Sequence, residues 1–187
     1  MKQVTYKWCS EHAQEYFNGE IPKVYYVISE SLEVHKGNAD DCNLEYCKEH
    51  NIPVYDLGRC GGTIVCNDGT IGFSLLTDVK HGWRNQSFLS HFTSFLQTKG
   101  LNPEREGNDI LLDGYKVASA AEWKVGKNLN RVYGVYLISY DVDIDAIQQI
   151  CKKPMKKIPK ALRLYGLDKE EIINWCKNYF GEIEKGN

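Results

Sequence analysis

Several things are missing from this chain, and each absence narrows the reading. No apolar run approaches the roughly 18 residues of a membrane span, and the opening MKQVTYKWCSEHAQEYF lacks the apolar stretch of a secretion signal. A cytoplasmic protein with no membrane role is therefore expected. The seven cysteines are an odd set without a Cys-x-x-Cys pair, which suits reduced thiols better than a disulfide framework. Cys9 with His12 and Cys47 with His50 have spacings a metal ion could use, but neither finds a matching second pair, so no zinc site is expected. Neither GxxxxGK[ST] nor GxGxxG occurs, which excludes a P-loop and a dinucleotide fingerprint. Charge imbalance is missing too: 23 Lys and Arg face 25 Asp and Glu, and the net charge of −2 gives no field directed at nucleic acid.

What is present is an ordinary globular composition over 187 residues, enough for one domain spanning 1–187 with a real core. Short β-branched and aromatic runs predict strands at Val24 to Ile28, Ile52 to Leu57, Gly62 to Cys66 and Ile71 to Leu76, separated by Gly-containing turns. The period becomes helical between Gly82 and Lys99, where Phe88, Phe92, Phe95 and Leu96 fall on one stripe, as a core-facing helix requires. Further helices are expected over Asp40 to His50, over Asp143 to Cys151, and from an Asp168 N-cap to a stop at Gly181. The expected fold is α/β in the α+β sense, a central mixed and largely antiparallel sheet flanked by helices.

The stretch NDILLDGYKVASAA, Asn108 to Ala121, sets an acid, an amide and one lysine around a tight turn. Asp113-Gly114 is a two-residue hairpin turn, so Ile110 to Leu112 should pair with Tyr115 to Ala118. Strict alternation then puts Lys116 on the face of Gly114 and Ala118, among small neighbours that leave room for a ligand. A lone lysine on a half-exposed strand is ordinarily just solvated; its company changes the reading. Upstream, RCGGTIVCNDGTIGFS carries a glycine pair, Gly61-Gly62, whose missing Cβ atoms let backbone approach a ligand closely, with Thr63 offering a hydroxyl and Arg59 a phosphate-binding fork.

Together these two stretches resemble the catalytic domain shared by lipoate-protein ligases and biotin-protein ligases. Arg59, Cys60, Gly61, Gly62, Thr63, Ile64, Val65, Asn67 and Asp68 stand where the lipoate branch has its arginine, glycines, apolar pair and His-Asp step. Asn108, Asp109, Asp113, Gly114, Lys116 and Ser119 are similar to its Asn-Asp, short hairpin and lysine followed by small residues. The likeness runs roughly from Lys23 to Leu167. It implies an ATP-dependent ligase that adenylates lipoate or octanoate and passes it to a lysine of an acceptor domain. On that resemblance Lys116 is the catalytic cation, Asp109 a magnesium ligand, and Arg59, Gly61, Gly62, Thr63, Asn67, Asp68, Asn108, Ser119 and Gly134 line the acyl and adenylate site. A lysine suits this role because its compact charge and three donors touch carboxylate and phosphate together.

Departures are part of the same reading. Thr63 replaces a third glycine, Asn67 the usual histidine, and Tyr133-Gly134-Val135 a His-Gly-Thr step. The accessory C-terminal domain of many lipoate ligases is not recognisable, so a separate subunit is an expectation. The segment 152–163 carries six cations and no acid, a patch suited to docking an acidic lipoyl-type acceptor domain. Two alternatives remain open at this point: a ligand-binding or regulatory module of the same fold, and an ATP-independent acyltransferase working through a thiol such as Cys60 or Cys66.

Overall fold

The computed structural model describes residues 1–12, 15, 18–37, 39–56 and 62–185. A seven-stranded sheet runs through it in the order β1-β2-β6-β10-β9-β8-β7, from β1 (Lys2–Thr5) and β2 (Lys23–Ile28) at one side to β8 (Asp109–Leu112) and β7 (Glu104–Glu106) at the other. β6 (Thr70–Asp78), β10 (Arg131–Ser139) and β9 (Tyr115–Val125) form its centre. Every neighbouring pair is antiparallel except β1 with β2, so the expected mixed, largely antiparallel sheet is what the chain builds.

Alternation decides what each face of this sheet covers. Val24 and Tyr26 of β2, Ile71, Phe73 and Leu75 of β6, and Tyr136 and Ile138 of β10 turn to one side. There they meet Phe88, Phe92, Phe95 and Leu96 of α3 (Asn85–Thr98) together with Ile172, Ile173, Cys176 and Phe180 of α5 (Lys169–Glu184). Each fully buried aromatic or aliphatic side chain here contributes about 1.5–3 kcal/mol by leaving water. Tyr25, Val27, Leu76, Tyr133 and Val135 turn the other way, against Tyr6 of α1 (Tyr6–Glu11) and Cys66 of β5 (Ile64–Cys66). Because both faces are covered, β6 is buried along nearly its whole length, which is why it reads as a continuous apolar run.

β5 belongs to a second, three-stranded sheet in which β3 (Glu33–Lys36) lies between β4 (Val54–Asp56) and β5. α2 (Leu44–Glu49) and α4 (Ile144–Ile150) close against it around Val34, Cys42, Cys47 and Ile150. The small sheet therefore sits beside the larger one on the side away from α3 and α5.

Three expectations need correction. Asp113 and Gly114 both have positive φ, 52° and 80°, as the two-residue turn demands. The hairpin they start is nevertheless not regular: Ile110 pairs with Ala118 and Leu111 with Lys116, leaving Val117 bulged between them. Val117, Ala118 and Ala120 all reach the main core, so Lys116 does not share a face with Ala118. The last helix does not stop at Gly181 but continues to Glu184, since packing of Phe180 overrides glycine's weak helix preference. Finally, β1, which pairs in parallel with β2, lies in a segment with no strand expectation.

Candidate active site

The bulge is what builds the cleft. It lets Lys116 and Ser119, three residues apart, open onto one cleft of about 480 Å³ on the face opposite α3 and α5. Leu137 and Ser139 of β10 and Thr70 of β6 form its floor. Ile64 and Val65 of β5 and Ile147 of α4 form an apolar wall. Residues 152–160 cross its mouth as a strap, contributing Met155, Lys156, Lys157 and Pro159. The strap is clipped directly onto the lysine: the Lys116 N–H donates to the Ile158 carbonyl and the Lys160 N–H to the Lys116 carbonyl, both at 2.9 Å.

Lys116 is half-buried, and among the described residues its ammonium has no ion-pair partner. Asp109 also lines the cleft, where its Oδ2 accepts from Lys157 Nζ at 2.8 Å; that bond, with Glu106 at 3.2 Å beside it, holds the Lys157 ammonium above the usual lysine range. Thr63 stands on the opposite wall. Asp41 fixes it by accepting the Thr63 hydroxyl at 2.6 Å and the Thr63 N–H at 3.0 Å. A Cβ on Gly62 would come within 3.1 Å of that Asp41 carboxylate, so the glycine admits the contact. Cys151 completes the lining; burial raises its thiol pKa, with Asp41 adding to the effect and Lys116 opposing it.

Of the residues singled out from sequence, the cleft gathers Thr63, Asp109, Lys116 and Ser119, with Gly62 beside Thr63. Arg59 and Gly61 lie outside the described residues, as does Cys60. Asn67 caps its own turn, accepting from Gly69 N at 3.1 Å and Thr70 Oγ1 at 3.2 Å, and with Asp68 it faces a separate open depression beside Asp141 and Asp143. Asn108 points away too, accepting from Asn85 and Gln86 at the start of α3. Gly134 sits mid-strand on β10, where a Cβ would lie 2.7 Å from the Tyr136 hydroxyl. It leaves room for that hydroxyl to donate to Glu122, the carboxylate that accepts the Arg84 N–H at the head of α3.

Cys66 is not suited to a thiol route. Full burial pushes its thiol up to about 12, and it faces Tyr6, away from the cleft. The basic segment is also engaged differently from a free patch. Lys152 pairs with Asp40, Arg163 with Asp141, Lys157 with Asp109, and Lys160 lies 4.8 Å over both Tyr115 and Tyr165. Asp41 was missed because it falls inside the helix expected over Asp40 to His50, and its partner Thr63 is 22 residues away. Lys156 and Lys157 were legible as cations, but nothing in the spacing shows that their segment folds back over the cleft.

Among the described residues no three His, Cys, Asp or Glu side chains converge on a metal position. A magnesium ion delivered on nucleotide phosphates needs only one or two protein carboxylates, and Asp109 is the carboxylate that lines the cleft among the described residues.

A model of the lipoyl protein ligase A/B catalytic domain matches residues 31–175. A lipoate-protein ligase from Streptococcus pyogenes is 31% identical over 121 residues, which cover 63% of this chain and 35% of the relative. The chain spans 35% to 54% of the length of the curated relatives it matches. Among solved structures, the bipartite lipoate protein ligase from Thermoplasma acidophilum, described with its E2 lipoyl domain, superposes with a TM-score of 0.77 at 14% identity, covering 97% of this chain and 81% of that one. A lipoate-protein ligase A bound with ATP gives 0.73 at 15% identity, covering 96% and 82%. At these identities the superpositions speak to the fold.

Proposed function

The chain belongs to the lipoyl protein ligase A/B catalytic-domain family, and from that premise we propose that it makes an acyl-adenylate from ATP and lipoate or octanoate and transfers the acyl group to a lysine of a lipoyl-type acceptor domain. The observation that carries this is half-buried Lys116, whose ammonium has no ion-pair partner among the described residues, in a cleft that also presents an aliphatic wall. Such a cleft fits an acid with a carbon chain: Ile64, Val65, Leu137, Val142, Ile147 and Met155 take the chain, and the cation takes the carboxylate.

In the first step a carboxylate oxygen attacks the α-phosphorus of ATP and pyrophosphate leaves. Two anions must approach each other, and Lys116 lowers that barrier by contacting carboxylate and α-phosphate at once, inside a site the strap shields from water. Asp109 is the carboxylate that would hold magnesium on the nucleotide, while Lys156 and Lys157 add positive charge to the phosphate side. Thr63 and Ser119 offer hydroxyls to the adenylate. In the second step the acceptor amine attacks the acyl carbon, AMP departs, and the amine loses a proton. The name of the Thermoplasma relative, a bipartite ligase, and the ATP in the other solved relative support this reading and a requirement for a second subunit.

The test is to incubate the protein with magnesium ATP, lipoate and an acceptor domain while following pyrophosphate and acceptor mass. Pyrophosphate release with a mass gain is the expected result, and Lys116→Ala should lower adenylation by about 10²- to 10³-fold. Pyrophosphate without a mass gain points to a missing subunit. A mass gain without ATP when an acyl-carrier protein is supplied as donor replaces the ligase by an acyltransferase, and acid binding without turnover replaces it by a binding module.

A further inference from the structure

Cys42 and Cys151 are distant in sequence and form an isolated antiparallel bridge beside the cleft. Its hydrogen bonds flank the pair: Asn43 N–H donates to the Ile150 carbonyl at 2.7 Å, and Lys152 N–H to the Asp41 carbonyl at 3.0 Å. The two cysteines thus occupy a non-hydrogen-bonded position, where facing Cα atoms approach to about 4.5 Å and side chains leave the backbone on the same side. A disulfide spans Cα separations of about 4.4–6.8 Å, so this position accommodates one without moving the backbone. Both thiols are free.

We propose that Cys42 and Cys151 are a reversible disulfide site that, when oxidised, fastens the root of the strap to the wall of the cleft. The inference rests on backbone pairing and does not depend on the ligase reading. Cys151 is half-buried and opens into the cleft, whereas Cys42 is only 1% exposed, so an incoming oxidant meets Cys151 first. With a small disulfide such as oxidised glutathione, the Cys151 thiolate attacks one sulfur and releases one glutathione. Cys42 then attacks the Cys151 sulfur and releases the second. Two protein thiols become one disulfide, and their two electrons and two protons leave on two glutathione molecules.

The bond would lie at a mechanical junction. Asp41, adjacent to Cys42, grips Thr63 on one side and accepts from Lys152 on the other, so the cleft wall and the strap root meet there. Burial raises both thiols, that of Cys42 to about 11, with Cys47 adding to the effect on Cys42. Because both lie above the ordinary thiol value, the thiolate fraction, and with it the exchange rate, should rise about tenfold between pH 7 and 8.

The full-length chain is treated with oxidised glutathione, quenched by alkylation, digested and analysed by mass. A peptide pair joined through Cys42 and Cys151, lighter by two hydrogens, reversed by dithiothreitol, absent from Cys42→Ser and Cys151→Ser and retained in Cys47→Ser, is the expected result. A mixed disulfide persisting on Cys151 while Cys42 stays alkylatable, a Cys42–Cys47 link, or no oxidation of Cys151 overturns the pairing. Hydrogen exchange across residues 152–160 should slow at least threefold on oxidation of the wild type; unchanged exchange overturns the fastening. Neither readout uses ATP, lipoate or an acceptor, so failure here is distinct from failure of the ligase assay.

Discussion

At the scale of single residues, the most demanding position lies far from the cleft. A Cβ on Gly72 would fall 2.2 Å from the Tyr6 hydroxyl and 3.0 Å from the Val27 carbonyl, and Tyr6 is too deeply buried to retreat. Gly72→Ala should cost about 1–3 kcal/mol of stability in urea unfolding, and adding Tyr6→Phe should recover part of it. Asp41 supports a different prediction, because its carboxylate holds Thr63 without lining the cleft. Asp41→Ala should raise the KM for the acid several-fold with kcat nearly unchanged; an equal fall in kcat would place Asp41 in the chemistry. Residue identity singled out Lys116, Asp109, Thr63 and Ser119, since chemistry restricts which side chains can serve an acid and a phosphate, and the fold brings these four to one cleft. Asn67, Asp68, Asn108 and Gly134 do not line that cleft, because position relative to a motif says nothing about where a side chain points once a turn or strand has closed.

At the scale of elements, what the sequence carried depended on how local the signal was. The α3 stripe, the Asp113-Gly114 turn and the Asp168 cap rest on residues within a turn or two of one another, and all three are in place. The bulge at Val117 was not legible, because no rule of alternation marks where a strand breaks its own register, and that irregularity is what aims Lys116 and Ser119 together. The strap escaped for a related reason: its pairing partner is Lys116, over forty residues earlier, so only tertiary structure defines it. The continuation of α5 through Gly181 yields a test. Gly181 has open space around its missing Cβ and does not have a positive φ, so Gly181→Ala should stabilise the protein by about 0.5–1 kcal/mol, read as a raised urea midpoint with unchanged m. In the same helix, Phe180 stacks on Phe73 at 4.9 Å and meets Tyr136 at 4.8 Å; Phe180→Ala should cost about 3–5 kcal/mol.

At the scale of the whole molecule, both faces of the large sheet are covered, and titratable groups are enclosed with the apolar ones. The folded pKa of Cys66, about 12, lies above its ordinary 9.0 because burial disfavours the thiolate. Below pH 9 the thiol is protonated whether the chain is folded or not, and its contribution is fully present. Between pH 9 and 12 the unfolded chain gives up the proton while the folded one keeps it, so stability should fall with rising pH, by about 1.4 kcal/mol per unit for this thiol alone. Chemical unfolding across that range should show the slope, and Cys66→Ala should flatten it. The sheet's outer strand β7 reads Glu-Arg-Glu, exposed and charged, which discourages strand addition from another molecule. The two backbone bonds between Lys116 and the strap join the cover to the strand that carries the cation. Lifting residues 152–160 breaks both bonds while β9 keeps its pairing with β8 and β10, so opening the mouth costs hydrogen bonds and leaves the ammonium where it stands.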